Sequence, residues 1–319
     1  MIITRTPFRI SFVGGGSDFK EYYQEEPGAV ISVSIDKYIF LSMHPLFNKN
    51  GYFLKYSTNE LVDSPDQIQH SIIREIFTQY KIKGVDFNSS SDVPAGTGLG
   101  SSSSFTVGLL NLCYTYKNKV RSKADLAREA CSIEIDKLSA PIGKQDQYAA
   151  SFGGLNFIKF NPDETVKVKK IVMDTFIEAD LEASLMLFYL GECRSAALTL
   201  TEQKQNVEKN RPTLRKMVKL ARTLYQELNN GQIDCMGATL HENWMYKKEL
   251  ASNISNPTVD RIYEMARKHG AVGGKLLGAG STGFLLLSVP PEKQKKIQKV
   301  LGLYRLPFTF DYDGTTVIS

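Results

Sequence analysis

The sequence predicts an α+β fold of about two domains, and three observations carry that expectation. The chain has 319 residues, enough for roughly two domains of ordinary size. Its composition, 42% hydrophobic and 23% charged, is that of an ordinary globular chain able to fill a core. Short β-branched and aromatic runs occur together with helix-period stretches in both halves, so neither half is purely helical or purely β.

The elements follow in order. Residues 2–4, 9–13, 29–35 and 38–44 are runs of strand type. From 64 to 80 the period changes: Ile68, Ile72, Ile76 and Phe77 share one helical face, with Pro65 near its start. Residues 85–89 predict a strand, and 103–116 and 122–138 predict helices. Ser122 with Asp125 gives the second of these a capping-box-like start. A strand at 155–160 follows Gly153-Gly154, with 166–172 as its hairpin partner. The segment 173–180 is the expected boundary, dividing the chain into 1–175 and 176–319. Beyond it come a strand at 185–189 and helices over 196–228, 232–250 and 257–268. A glycine-rich segment at 270–283, a strand at 284–289, a basic helix and a hairpin around Asp313-Gly314 complete the chain.

Composition also excludes function classes. Net charge is +5, from 39 basic and 34 acidic residues, which suits anionic small molecules and is too weak to argue for nucleic acid. Lys293, Lys295, Lys296 and Lys299 oppose Ile297, Val300 and Leu301 and read as a solvated helix face. No apolar run approaches the ~20 residues that span a bilayer, and the first residues read as a strand rather than a signal peptide. No membrane partner is expected. Cys113, Cys131, Cys193 and Cys235 form no C-x-x-C pair, so a reduced, cytoplasmic setting is expected. His241-Glu242 begins like a zinc-protease helix, but position 245 is Met. The oligomeric state is not legible.

The segment with most chemical content is 92–104, Asp-Val-Pro-Ala-Gly-Thr-Gly-Leu-Gly-Ser-Ser-Ser-Ser. Glycines at 96, 98 and 100 allow close backbone approach and left-handed dihedrals. The helix that follows presents free amides and the positive end of its dipole, which together cradle an anion. No lysine follows as a Walker A loop requires, and the glycines alternate rather than spelling G-x-G-x-x-G. A serine-capped glycine turn is the alternative reading.

Three segments together resemble the GHMP kinases. Pro94 through Ser102 resembles that family's P-x-x-x-G-L-G-S-S phosphate loop. Thr6-Pro-Phe-Arg-Ile-Ser-Phe-Val-Gly-Gly-Gly-Ser-Asp18 resembles its sugar-binding first motif, and Gly274-Lys-Leu-Leu-Gly-Ala-Gly-Ser-Thr-Gly-Phe284 its third. The order is the family's, and the likeness spans essentially the whole chain. Gly14-Gly15-Gly16-Ser17-Asp18 is similar to the D-glycero-D-manno-heptose 7-phosphate kinases and their L-fucokinase relatives. Tyr189-Leu-Gly-Glu-Cys-Arg-Ser195 resembles a further segment of that branch, with Leu190 and Cys193 replacing its threonine and serine. Ser281 and Thr282 stand where the branch often has glycines.

The resemblance implies a ribosomal-protein-S5-domain-2-like N-terminal domain and a ferredoxin-like C-terminal domain, with ATP and Mg²⁺ as cofactors. It implies that Pro94, Gly96, Gly98, Gly100, Ser101, Ser102 and Ser103 cradle ATP. Ser102 and Glu134, the latter twelve residues ahead of Asp146, are the implied metal ligands. Asp146, within Gly143-Lys-Gln-Asp-Gln-Tyr148, is the implied catalytic carboxylate, as base or as orienter of the acceptor hydroxyl. Arg9 is the implied partner of the transferred phosphoryl group. Gly15, Gly16, Ser17, Asp18, Lys275, Gly278 and Gly280 are the implied substrate contacts. Arg194 is a candidate for a substrate phosphate, with Arg211 and Lys144 as rivals. The implied reaction is phosphorylation of the anomeric hydroxyl of a heptose 7-phosphate, for nucleotide-activated heptose. L-Fucose or another sugar as acceptor, and a non-catalytic sugar and ATP sensor, are the alternatives.

Overall fold

The computed structural model describes residues 1–47, 50–191, 197–280 and 282–319. Two long antiparallel strands, β1 (Ile2–Val13) and β2 (Gly28–Pro45), form the centre of the first sheet. The sequence suggests four separate runs here, because Pro7 and the polar pair Asp36-Lys37 interrupt the apolar pattern. They are joined through a bulge instead: Pro7 pairs with Tyr38 and Phe8 with Ile35, leaving Asp36 and Lys37 unopposed. The C-terminal tail satisfies that bulge. The Asp36 amide donates to Thr309 O at 2.9 Å, and the Thr309 amide donates to Asp36 Oδ1 at 2.9 Å.

Strands β3 (Tyr52–Lys55) and β4 (Asn59–Val62) make a hairpin. Strand β5 (Val85–Ser91) lies parallel to β3 and antiparallel to the second half of β2. The first half of β2 takes β6 (Leu155–Phe160), which forms a hairpin with β7 (Val166–Lys170). From Thr6 to Val13 every β1 residue is buried, without the alternation of a half-solvated strand. Both faces must therefore be covered.

The helices supply that cover. After the short α1 (Lys20–Tyr23), the helix expected over 64–80 proves shorter. A capped 3-10 turn at Pro65–Gln67 ends before α2 (Ser71–Gln79) begins. Helix α3 (Ser101–Tyr116) packs on β1 and β2, as does α5 (Gln145–Phe152). Between them, α4 (Lys123–Cys131) starts at Ser122, whose Oγ accepts the Asp125 amide at 3.1 Å. The helix expected to run to 138 widens into a π-helical turn at Ser132–Lys137, a local geometry that re-aims side chains.

The second sheet is antiparallel throughout. Its strands are β8 (Leu185–Tyr189), β9 (Gly273–Leu276), β10 (Phe284–Ser288) and β11 (Arg305–Leu306), in the order β11-β8-β10-β9. Helix α6 (Thr175–Ala183) leads into it. The helix expected over 196–228 is broken at Asn206 into α7 (Ala197–Gln205) and α8 (Val207–Asn229). Helices α9 (Cys235–Lys248), α10 (Pro257–Lys268) and α11 (Pro291–Leu301) complete this half. Helices α8 and α9 reach across to β1, so the two halves share a buried seam. On α9, Trp244 is fully buried, and His241 Nδ1 lies 2.7 Å from the Tyr263 hydroxyl, so the zinc-like His-Glu segment is part of the packing.

The hairpin expected around Asp313-Gly314 does not form. Strand β12 (Thr316–Val317) returns to the first sheet and pairs with β1. The Asp313-Gly314 turn instead docks on the end of α5, where a Cβ on Gly153 would lie 2.2 Å from the Gly314 amide nitrogen. The C-terminal tail thus serves the first sheet, although the sequence division at 175 assigns it to the second half. Among the described residues, no helix is long and apolar enough to cross a membrane.

Candidate active site

The glycine loop takes the backbone its composition allows: Gly96, Gly98 and Gly100 have φ of +75°, +87° and +80°. Gly100 immediately precedes α3, so Ser101, Ser102 and Ser103 form its first turn, whose amides have no partner within the helix. All six of these residues line one cleft between the halves of the protein. Pro94 does not: it is exposed, and its carbonyl accepts the Thr97 hydroxyl at 3.0 Å. Its carbonyl closes the turn, and the residue itself lies outside the cleft lining.

The widened turn after α4 brings Glu134 against this helix start. Glu134 is buried, and it accepts hydrogen bonds from Ser102 Oγ at 2.6 Å, Ser103 Oγ at 2.9 Å and Gln147 Nε2 at 2.8 Å. These donors are neutral. Burial raises its pKa above 4.5, against the lowering effect of the three hydrogen bonds. A buried carboxylate beside a hydroxyl, with no cation among those donors, suits a hard divalent ion. Magnesium would complete its shell from phosphate and water.

Beside Gly100, at the start of α3, stands an ion pair. Arg9 Nε and Nη2 donate to Asp146 Oδ1 and Oδ2, both at 2.8 Å, and Nη1 donates to Gly98 O at 2.6 Å. One guanidinium thus ties the carboxylate from α5 to the glycine loop, a geometry only a planar fork provides. Arg9 is nearly closed off, whereas Asp146 leaves a quarter of its side chain open to the cleft. Gln145 Nε2 also donates to Asp146 Oδ1, at 3.1 Å.

The Gly14–Gly16 loop forms the floor. Gly15, Gly16 and Asp18 line the cleft. Asp18 is fixed by the Gly16 amide at 2.9 Å and the Gln145 amide at 3.1 Å. Burial raises its pKa, as does the nearby Asp146 charge, while those amides oppose the rise. Ser17 faces the other way. Its hydroxyl is buried and donates to Gly14 O at 2.8 Å while receiving the Ala29 amide at 3.1 Å, so it holds the loop and does not reach the cleft.

The third glycine segment closes the cleft from the second half. A Cβ on Gly278 (φ +68°) would lie 2.4 Å from Gly98 Cα, and one on Gly98 would lie 2.7 Å from Leu277 O. Gly280 (φ +118°) is equally intolerant, meeting Ile254 at 2.6 Å. Gly278→Ala should therefore push this segment off the phosphate loop, at a cost of about 1–3 kcal/mol in stability. Urea unfolding and the KM for MgATP measure it. A variant with both unchanged would show that the seam is loose.

Lys275 is buried and donates to Phe12 O at 3.1 Å. Beside it lies a residue the sequence reading missed: Lys247 of α9 lines the cleft, buried, with its nitrogen on Leu276 O and Gly278 O. A signal was present, since 240, 243, 244 and 247 share one helix face that is otherwise unfit for a solvated lysine. Ser11, Gln145 and Gln203 also line the cleft and were missed. Arg194 lies outside the described residues. Its rivals are engaged elsewhere: Lys144 pairs with Glu164, and Arg211 with Glu208 and Glu25.

The family model for the GHMP kinases N terminal domain matches residues 68–154, and that for the GHMP kinases C terminal matches residues 224–302. The chain is 30% identical to the D-glycero-alpha-D-manno-heptose 7-phosphate kinase of Campylobacter jejuni, over 98% of this chain and 97% of that one. It is 26% identical to the bifunctional fucokinase/GDP-fucose pyrophosphorylase of Arabidopsis thaliana, over 92% of this chain but 30% of that protein. In fold it resembles a D-glycero-D-manno-heptose 1-phosphate kinase from Bacteroides thetaiotaomicron, with a TM-score of 0.82 at 24% identity, covering 100% and 99% of the two chains. With both domain models matched in order and a full-length relative at this identity, the chain belongs to the GHMP kinase family.

Proposed function

We propose that this ATP-dependent sugar kinase transfers the γ-phosphoryl group of ATP to the anomeric hydroxyl of D-glycero-D-manno-heptose 7-phosphate. The products are the 1,7-bisphosphate and ADP, on a route to nucleotide-activated heptose in the cytoplasm. The observation that carries the reading is the Arg9–Asp146 pair, tied to Gly98 and set beside the start of α3 in the same cleft. The acceptor rests on the likeness to the Campylobacter jejuni enzyme over nearly the full length of both chains.

The residues divide the work. The amides of Ser101, Ser102 and Ser103 receive the phosphate chain at the positive end of α3. Asp146 accepts a hydrogen bond from the anomeric hydroxyl and takes or steers its proton as the oxygen attacks phosphorus. The bond from phosphorus to the bridging oxygen breaks, and the electron pair leaves with ADP. Arg9 holds Asp146 in register and meets the charge spreading over the transferred group. Ser102 and Glu134 would hold Mg²⁺, which when bound supplies charge neutralisation at the phosphate oxygens. Asp18, with Gly15 and Gly16, takes the sugar hydroxyls.

The test is ADP release from MgATP with heptose 7-phosphate against free fucose, galactose and mannose. A charged contact to the distal phosphate, for which Arg194 is the candidate, predicts a preference of ~100-fold in kcat/KM for the phosphorylated heptose. Equal turnover of a free sugar would make the protein a salvage-type sugar 1-kinase.

A further inference from the structure

Three cations line the cleft among the described residues: Arg9, Lys247 and Lys275. Arg9 places three of its five N–H donors on Asp146 and Gly98, and Lys275 lies against Phe12 O. Lys247 stands differently. It projects from α9, in the second half, and its nitrogen donates to Leu276 O at 3.3 Å and to Gly278 O. Those carbonyls belong to the segment that rests on Gly98, so Lys247 ties α9 to the segment that meets the phosphate loop. A neutral amine has two hydrogens, both taken by these carbonyls, and it offers the cleft only a lone pair. The ammonium form has a third hydrogen, directed to whatever occupies the cleft.

We propose that Lys247 is a further catalytic residue, which contacts the phosphoryl group in transfer and takes up a proton when that anion binds. The assignment rests on the phosphoryl-transfer reading above. In the empty cleft its surroundings hold the charge off. Burial acts first, then Arg9 on β1, with Asp146 on α5 opposing them, and together they bring the amine down to about 7. Lys275 on β9 faces it as well, and burial, then Lys247 and Arg9, push its own amine well below the usual lysine range. On α9 itself the neighbours turn away: Lys248 reaches Asp260 and Glu249 accepts the Thr213 hydroxyl. A phosphoryl group reverses the balance by setting two or more negative charges beside Arg9 and the two buried lysine amines. The proton then comes from solvent, and no bond other than N–H is made. Arg9 and Lys247 would grip the transferred group from opposite halves of the protein, so the cleft becomes fully charged only when both halves and the nucleotide are together.

The experiment is calorimetric titration of MgATP into the whole protein at pH 8.5, without acceptor, in two buffers of different ionisation enthalpy. The wild type is expected to take up about 0.8–1 proton per MgATP bound. Lys247→Met should bind more weakly with no uptake and, in the full reaction, lose ~10²-fold in kcat. Lys247→Arg, charged at every pH, should bind without uptake. Binding to the wild type with no proton uptake, or uptake unchanged in Lys247→Met, would overturn the inference alone. If Lys247→Met does not fold, the wild-type proton count still decides. Absence of any MgATP binding would overturn the phosphoryl-transfer reading and this inference together.

Discussion

Replacing Asp146 by Asn is expected to lower kcat by about 10²–10⁴-fold while leaving the affinity for MgATP within about threefold of wild type. The separation follows from the geometry. Asp146 lies alongside Gly100, but its hydrogen bonds go to Arg9 and Gln145, whereas the loop is shaped by its own positive-φ glycines and by the start of α3. An amide keeps the side-chain volume and can still accept one hydrogen bond from Arg9. It cannot offer each Arg9 nitrogen its own oxygen, and it cannot take a proton as a carboxylate does. Steady-state rates and nucleotide titration on the same preparation give both numbers. Turnover within a factor of two of wild type would remove Asp146 from the chemistry.

Arg9→Lys tests the other half of the pair, and a fall of about 10²–10³-fold in kcat is expected although the charge is conserved. Arg9 meets three acceptors at once, two carboxylate oxygens and a backbone carbonyl, from three separate donors held in one plane. A lysine reaches at most part of that set, as a point charge on a flexible stem. It would leave Asp146 free to swing and Gly98 O without a donor in a part-buried site. A drop in kcat with little change in KM is the expected signature, since the fork aligns groups that matter most as charge develops. Full activity in Arg9→Lys would mean that net charge alone is what the site requires.

What could be read before folding, and what could not, divides along physical lines. The glycine loop was legible because only glycine takes φ near +80° freely, so the residue type itself announces the backbone. The strand and helix alphabet of both halves was legible from period. The bulge in β1 and β2 was not, because Pro7 and Asp36-Lys37 look like breaks when their compensating partner, Thr309, lies more than 250 residues away in sequence. The π-helical turn that aims Glu134 leaves no mark in composition. Ser17 and Asp18 are adjacent and both polar, yet only one faces the cleft, and direction within a turn is set by the contacts that fold it. Lys247 escaped because lysine is ordinarily solvated, and a buried one on an apolar stripe is explained only by the carbonyls it meets.

Substrate choice belongs to the same class of problem. Lys144 and Arg211 were open as contacts for a distal phosphate, and their ion pairs with Glu164, Glu208 and Glu25 take them out of the cleft. One or two side chains at the cleft's far end decide the acceptor without altering any motif.

The most direct measurement is phosphorus and proton NMR of the sugar product after exhaustive reaction of D-glycero-D-manno-heptose 7-phosphate with MgATP. The account predicts one new phosphorus signal coupled to the anomeric proton, with the 7-phosphate retained and one ADP formed per product molecule. A new phosphate on any other carbon, or ADP accumulating with no phosphorylated sugar, would contradict it.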